Sequence, residues 1–116
     1  MPVPDFQSLM LPVLQRFQDD GEHGLRDASA SIAEEFRLTE AEINEPLPSG
    51  RQTRLQNRIA WAHGYLKEAG LLERPSRGVY RLSQRGREVL ASMPGRIDIT
   101  YLERFPEFLE FRSRSG

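Results

Sequence analysis

The sequence predicts a mainly α-helical chain with one small β-hairpin, arranged as a winged helix-turn-helix with an extra C-terminal helix. Three observations predict it. Apolar residues return at helical spacing through most of the chain. One long stretch, closed by Gly70, carries an unbroken apolar stripe. Two short β-rich runs follow it at once, joined by turn residues. The expected organisation is a single unit over 1–116, with a core at about 5–93, a helical extension at about 97–111 and a disordered tail at 112–116.

Asp5, after Pro4, is placed to cap a first helix on which Phe6, Leu9, Met10, Val13, Leu14 and Phe17 share a face. Pro12 falls inside this run and predicts a kink or a late start. The segment 19–24 reads as a turn. A second helix, Leu25 to Phe36, is expected to bury Leu25, Ala28, Ile32, Ala33 and Phe36. Thr39 with Glu42 makes a capping box for a short helix ending near Asn44, and Pro46 and Pro48 force an extended connection. Ser49 with Gln52 reads as a second capping box opening the long helix, whose stripe is Leu55, Ile59, Ala62, Leu66 and Ala69. A strand begins at Leu71-Leu72 and another spans 79–82, with turn chemistry in 74–78 between them. Ser83 caps a helix from Gln84 to Ser92 that stops before Pro94. A last amphipathic stretch sets Ile97, Ile99, Tyr101, Leu102, Phe105, Phe108, Leu109 and Phe111 around Pro106.

A chain of 116 residues, 38% hydrophobic and 28% charged, has room for one core of an ordinary globular domain. It has no cysteine, so disulfides and thiolate metal sites are excluded. His23 and His63 stand alone and read as surface or partly buried imidazoles, not metal ligands. No apolar run reaches a membrane span and no signal pattern opens the chain, so the expectation is cytoplasmic residence without membrane contact. The net charge of −1 hides an asymmetry: 1–50 carry −7, 51–87 carry +7 and 88–116 carry −1. Such a basic third points to a polyanionic partner, although a whole-chain pI of about 6.1 is low for a nucleic-acid binder.

The basic third coincides with the long helix and hairpin. On a helical wheel Arg54, Arg58, Trp61 and Tyr65 cluster beside the apolar stripe, with Asn57 just beyond. Arg54, Asn57 and Arg58 are residue types that pair with base edges in a major groove. Arg51 and Gln52 are expected against phosphate near the helix start, with Lys67 farther along the helix. In the hairpin Arg74, Ser76, Arg77 and Arg81 suit a backbone or minor-groove contact. Trp61 and Tyr65 are expected to pack on the core. Arg85 and Arg87, near the positive end of a helix, call for a phosphate or an acidic neighbour. No catalytic constellation, phosphate-cradling glycine loop or Glu-x-Lys tripeptide occurs, so neither catalysis nor a cofactor is expected on this chain.

The runs 3–12 (VPDFQSLMLP), 47–52 (LPSGRQ), 57–62 (NRIAWA), 65–72 (YLKEAGLL), 77–82 (RGVYRL), 86–90 (GREVL) and 105–108 (FPEF) together resemble the N-terminal domain of Mrr-type restriction endonucleases. The resemblance covers the chain up to about Phe111. It implies a winged-helix domain that binds double-stranded DNA for a type IV, modification-dependent restriction system acting on methylated DNA. It also implies a partner in a separate, metal-dependent nuclease domain of a longer parent protein, before which this sequence stops. Two other readings stay open: a transcriptional regulator with the same wing, and a protein-interaction or homo-oligomerisation module using 97–111.

Overall fold

A computed structural model of the chain describes residues 3–115. Its order is α1 (Phe6–Gln15), a 3₁₀ turn (Arg16–Asp19), β1 (His23–Gly24), α2 (Leu25–Glu35), α3 (Glu40–Ile43), α4 (Arg54–Glu68), β2 (Leu72–Ser76), β3 (Val79–Leu82), α5 (Gln84–Ala91), α6 (Ile99–Leu102) and α7 (Pro106–Ser115). This is the mainly α, winged-helix-like architecture that the periodicities predict.

The start of α1 is fixed by Asp5, whose carboxylate accepts the Ser8 N–H at 2.8 Å. The helix continues through Pro12 and tightens into the 3₁₀ turn four residues later, at Arg16. Leu9, Met10, Val13, Leu14 and Phe17 are fully buried there, as their spacing requires. Across from them, α2 contributes Ala28, Ile32 and Ala33, and α4 contributes Leu55, Ile59, Ala62, His63 and Leu66. Leu25 and Phe36, expected inside, lie half-buried at its edge.

The wing is larger than a two-stranded hairpin. Residues 19–24, read as a turn, end in a strand: β1 pairs antiparallel with β3, His23 opposite Tyr80 and Gly24 opposite Val79, so the sheet order is β1-β3-β2. The Leu25 N–H donates to the Gly78 carbonyl at 3.0 Å, tying the wing's tip to the first turn of α2. Gly78 takes φ +75°, a left-handed turn that suits a residue without a side chain. At the wing's base the backbones of α5 and Leu71 nearly touch, and a Cβ on Gly86 would fall 2.2 Å from the Leu71 carbonyl oxygen.

Two expectations are corrected. The long helix starts at Arg54, not after Ser49. Thr53 accepts the Gln56 N–H while the Gln56 side chain returns to the Thr53 N–H, so the capping box sits four residues later than read. Gly50, at φ +71°, turns the chain before any helix can form, and Pro46 and Thr53 bridge across the loop. Nor is the tail irregular, because α7 runs through Ser115, leaving only Gly116 of that tail outside the described residues. Ile97, Leu102 and Phe108 are fully buried in the same core, so α6 and α7 close it.

Candidate nucleic-acid interface

Helix α4 is held by its stripe against α1 and α2, which leaves the opposite half turned outward. Helical geometry puts Gln56, Asn57, Ala60, Trp61, Gly64 and Lys67 on that half. Gln56 and Lys67 are exposed, Asn57, Ala60 and Gly64 are half-buried, and Trp61 is 51% exposed. The small side chains of Ala60 and Gly64 let a partner come close to the helix backbone.

Some of the residues marked by the sequence stand free. The tight loop before α4 (Gly50 N–H to Leu47 O at 2.8 Å, Leu47 N–H to Gln52 O at 3.1 Å) presents Arg51 and Gln52 to solvent. Asn57 faces outward. Arg74, Ser76 and Arg77 are exposed on the wing. Others have partners inside the molecule. Arg54 Nε donates to Glu45 Oε2 at 3.0 Å. Arg58 hooks the carbonyls of Val3 and Pro4, pinning the N-terminal segment against α4. Arg81 pairs with Glu73 at 2.9 Å and lies 3.7 Å from Glu22. Lys67 makes a loose 3.5 Å contact with Glu68.

The acidic neighbours demanded by α5 are present. Arg85 reaches Glu107 through both terminal nitrogens (3.0 and 3.1 Å), and that pairing holds the Glu107 carboxyl below its usual range. Arg87 meets Asp20 at 2.9 Å. Tyr65 packs against Phe6, Phe108 and Phe111, the structural duty expected of it. Trp61 differs, touching Phe6 and Tyr65 by one edge while half of it faces solvent.

Three residues absent from the sequence-based set join this surface. Arg26 and Ser29 of α2 line one hollow with Gln52 and Gln56. Arg26 also lines a second hollow with Arg77 and Gly78 at the wing tip, where Asp27 is the single carboxylate. The guanidinium groups of Arg26, Arg51, Arg74 and Arg77 carry no ion pair or hydrogen bond among the described residues. The half-turn opposite the stripe would have marked Gln56. Nothing in the local sequence marks Arg26, because the β1–β3 pairing brings it beside the wing.

A family model described as the Mrr N-terminal domain matches residues 6–92. The type IV methyl-directed restriction enzyme EcoKMrr of Escherichia coli (strain K12) is 34% identical over 95 residues, covering 81% of this chain and 31% of that enzyme. The chain thus spans about a third of the length of this curated relative. No solved structure gives a significant match. No helix among the described residues is long and apolar enough to cross a membrane.

Proposed function

The chain belongs to the Mrr N-terminal domain family, and on that footing we propose that it is the double-stranded DNA-binding, target-recognition domain of a restriction enzyme. The observation that carries this reading is the distribution of unsatisfied positive charge. Arg54, Arg58, Arg81, Arg85, Arg87, Arg96 and Arg104 each donate to a carboxylate or a carbonyl, whereas the guanidinium groups of Arg26, Arg51, Arg74 and Arg77 make no such contact among the described residues, and all four border the outward side of α4 or lie on the wing. Bare guanidinium groups gathered at one protruding helix and a hairpin suit a phosphate backbone.

In this reading the outward half of α4 enters the major groove. Asn57, whose amide can bond an adenine edge, faces the bases beside the amide N–H groups of Gln56, whose oxygen is held by Thr53, and Arg51 and Gln52 meet phosphate ahead of the helix. Arg74, Ser76 and Arg77 lie on the backbone or in the minor groove, beside Arg26. Lys67 adds a phosphate contact at the far end of α4. Arg54, Arg58 and Arg81 act by position: they fix the α4 loop, the N-terminal segment and the wing. The similarity to EcoKMrr supports a methylated target and a nuclease domain in the remainder of a longer parent protein, which would supply the cutting chemistry.

Duplex affinity across a salt series tests the reading. Contacts to about five phosphates give a log–log slope of roughly −4 to −5. Arg51→Ala with Arg77→Ala lowers the slope magnitude by about 2 and weakens all sequences alike. A flat salt response for the parent chain, or no change in the double variant, would sink it.

A further inference from the structure

Helix α4 has two flanks, and they differ in free positive charge. The flank toward α2 and the wing has Arg26 and Arg77 beside it. On the other flank, toward α7, the helix's own arginines are spent: Arg54 on Glu45, and Arg58 on the carbonyls of Val3 and Pro4. A helix of about 10–12 Å diameter fills a B-form major groove about 12 Å wide, so its two flanks meet the phosphates of opposite strands. A cation for the second strand has to come from another element.

Helix α7 runs back along α4 on that flank. Its start lies by the end of α4, because Arg85 donates both to the Ala69 carbonyl at 2.9 Å and to Glu107 at 3.0 Å. Phe108 then packs on Tyr65, and Phe111 closes a groove of about 300 Å³ with Trp61, Tyr65 and Glu68. Arg114 follows three residues later, so it projects from the same side of α7 as Phe111, about 4.5 Å farther along the axis. It is exposed and makes no ion pair or hydrogen bond among the described residues. Charge is sorted along this helix. Glu107 and Glu110 come first, beside the end of α4 that carries Glu68; Arg112 and Arg114 come last, toward the half that holds Asn57. Arg112 turns back over the Phe108 ring at 5.9 Å, which leaves Arg114 on the side of the groove.

We propose that Arg114 contacts a backbone phosphate of the strand opposite the one held by the wing, which makes α7 a second backbone-binding element. The proposal rests on the DNA-binding reading above and carries it past residue 92, where the family model ends. A guanidinium at this position also suits the negative end of its own helix. That role shows in stability and leaves salt dependence untouched, so the two are separable.

The test is binding of the whole chain, across a salt series, to a mixed-sequence duplex of about 20 base pairs and to one of its strands alone. Each phosphate contact adds about 0.9 to the magnitude of the log–log slope on duplex. Arg114→Gln is expected to lower the duplex slope by that amount, and Arg114→Lys to retain it. Arg104→Gln removes the same charge just ahead of α7, where the side chain lies 3.6 Å over the Tyr101 ring, and is expected to leave the slope unchanged. Joining Arg114→Gln to Arg77→Gln lowers it by about 1.8, because the two contacts are independent. On the single strand, which follows the more basic flank of Arg26 and Arg77, Arg114→Gln changes nothing. An unchanged duplex slope in Arg114→Gln overturns the proposal, as does an equal fall in Arg104→Gln, in Arg114→Lys or on the single strand; salt-dependent duplex binding by the parent chain survives each of these. Absence of that binding in the parent overturns the DNA-binding reading itself, and this proposal with it.

Discussion

His63 shows what one side chain can do to the acid stability of the fold. It sits fully buried on α4, its Nδ1 donating to the Ile59 carbonyl at 2.9 Å and its Nε2 without a partner, between the rings of Phe17 and Tyr80. Burial pushes its pKa from 6.5 down to about 4, and the Arg16 guanidinium adds to the depression. The folded state therefore refuses a proton that the unfolded chain accepts between pH 6.5 and 4. Stability from this group is complete above about pH 6.5 and is lost as pH falls toward 4, by about 3 kcal/mol in total. Denaturant unfolding at pH 7.5 and pH 4.5 should show that excess loss in the parent chain and not in His63→Leu; parallel losses in both would refute it. The sequence leaves His63 at the surface or partly buried; it is fully buried because it lies at the margin of the stripe formed by Ile59 and Leu66, where Phe17 and Tyr80 close over it. The direction of Arg54 and Arg58 was not legible either. They stand about a quarter turn from the stripe, where a side chain meets flanking structure and not open solvent. Their partners, Glu45 and the carbonyls of Val3 and Pro4, come from segments that a single-helix wheel does not contain.

At the scale of elements, the start of α4 decides which residues reach a partner. Ser49–Gln52 and Thr53–Gln56 have the same capping spacing, and local pattern alone does not rank them. The loop does: Gly50 in the left-handed region and the Pro46–Thr53 bridge commit the first pair to a turn. Thr53→Ala is accordingly expected to cost about 1 kcal/mol by chemical denaturation, while Ser49→Ala changes stability by no more than a few tenths. Equal losses would place the helix start back at Ser49. Most other helices stood out in the sequence because their caps and apolar periods agree. Strand β1 did not, since two residues cannot show alternation and His23–Gly24 is strand only through its backbone pairing with β3.

Taken whole, the chain extends its core past the segment that the family model matches. Ile97, Leu102 and Phe108 lie outside 6–92 yet are fully buried, and Arg85 ties α5 to α7 through Glu107. We propose that residues 93–116 fold with the rest as one unit. A chain ending at residue 95 forfeits three large buried side chains, each worth about 1.5–3 kcal/mol, a loss comparable to a small domain's whole stability. Its thermal transition should fall by more than 10 °C or lose cooperativity; an unchanged transition would make the last two helices an appendage. The apolar residues of this extension were visible in the sequence, as was the break at Pro106. The helicity of 112–115 was not, because those polar residues carry no stripe, although Arg112 and Arg114 suit the negative end of a helix.

The bond from the Leu25 N–H to the Gly78 carbonyl has a mechanical consequence. It bolts the tip of the wing to the first turn of α2, which is itself packed on α4, so the span from the outward side of α4 to Arg77 is set by the scaffold. If the domain binds DNA as proposed, it works as a caliper of set span. A duplex whose shape does not match that span would have to bend, or alter its groove width, to seat on both jaws, and sequences that deform cheaply would then gain affinity at base pairs the protein never touches.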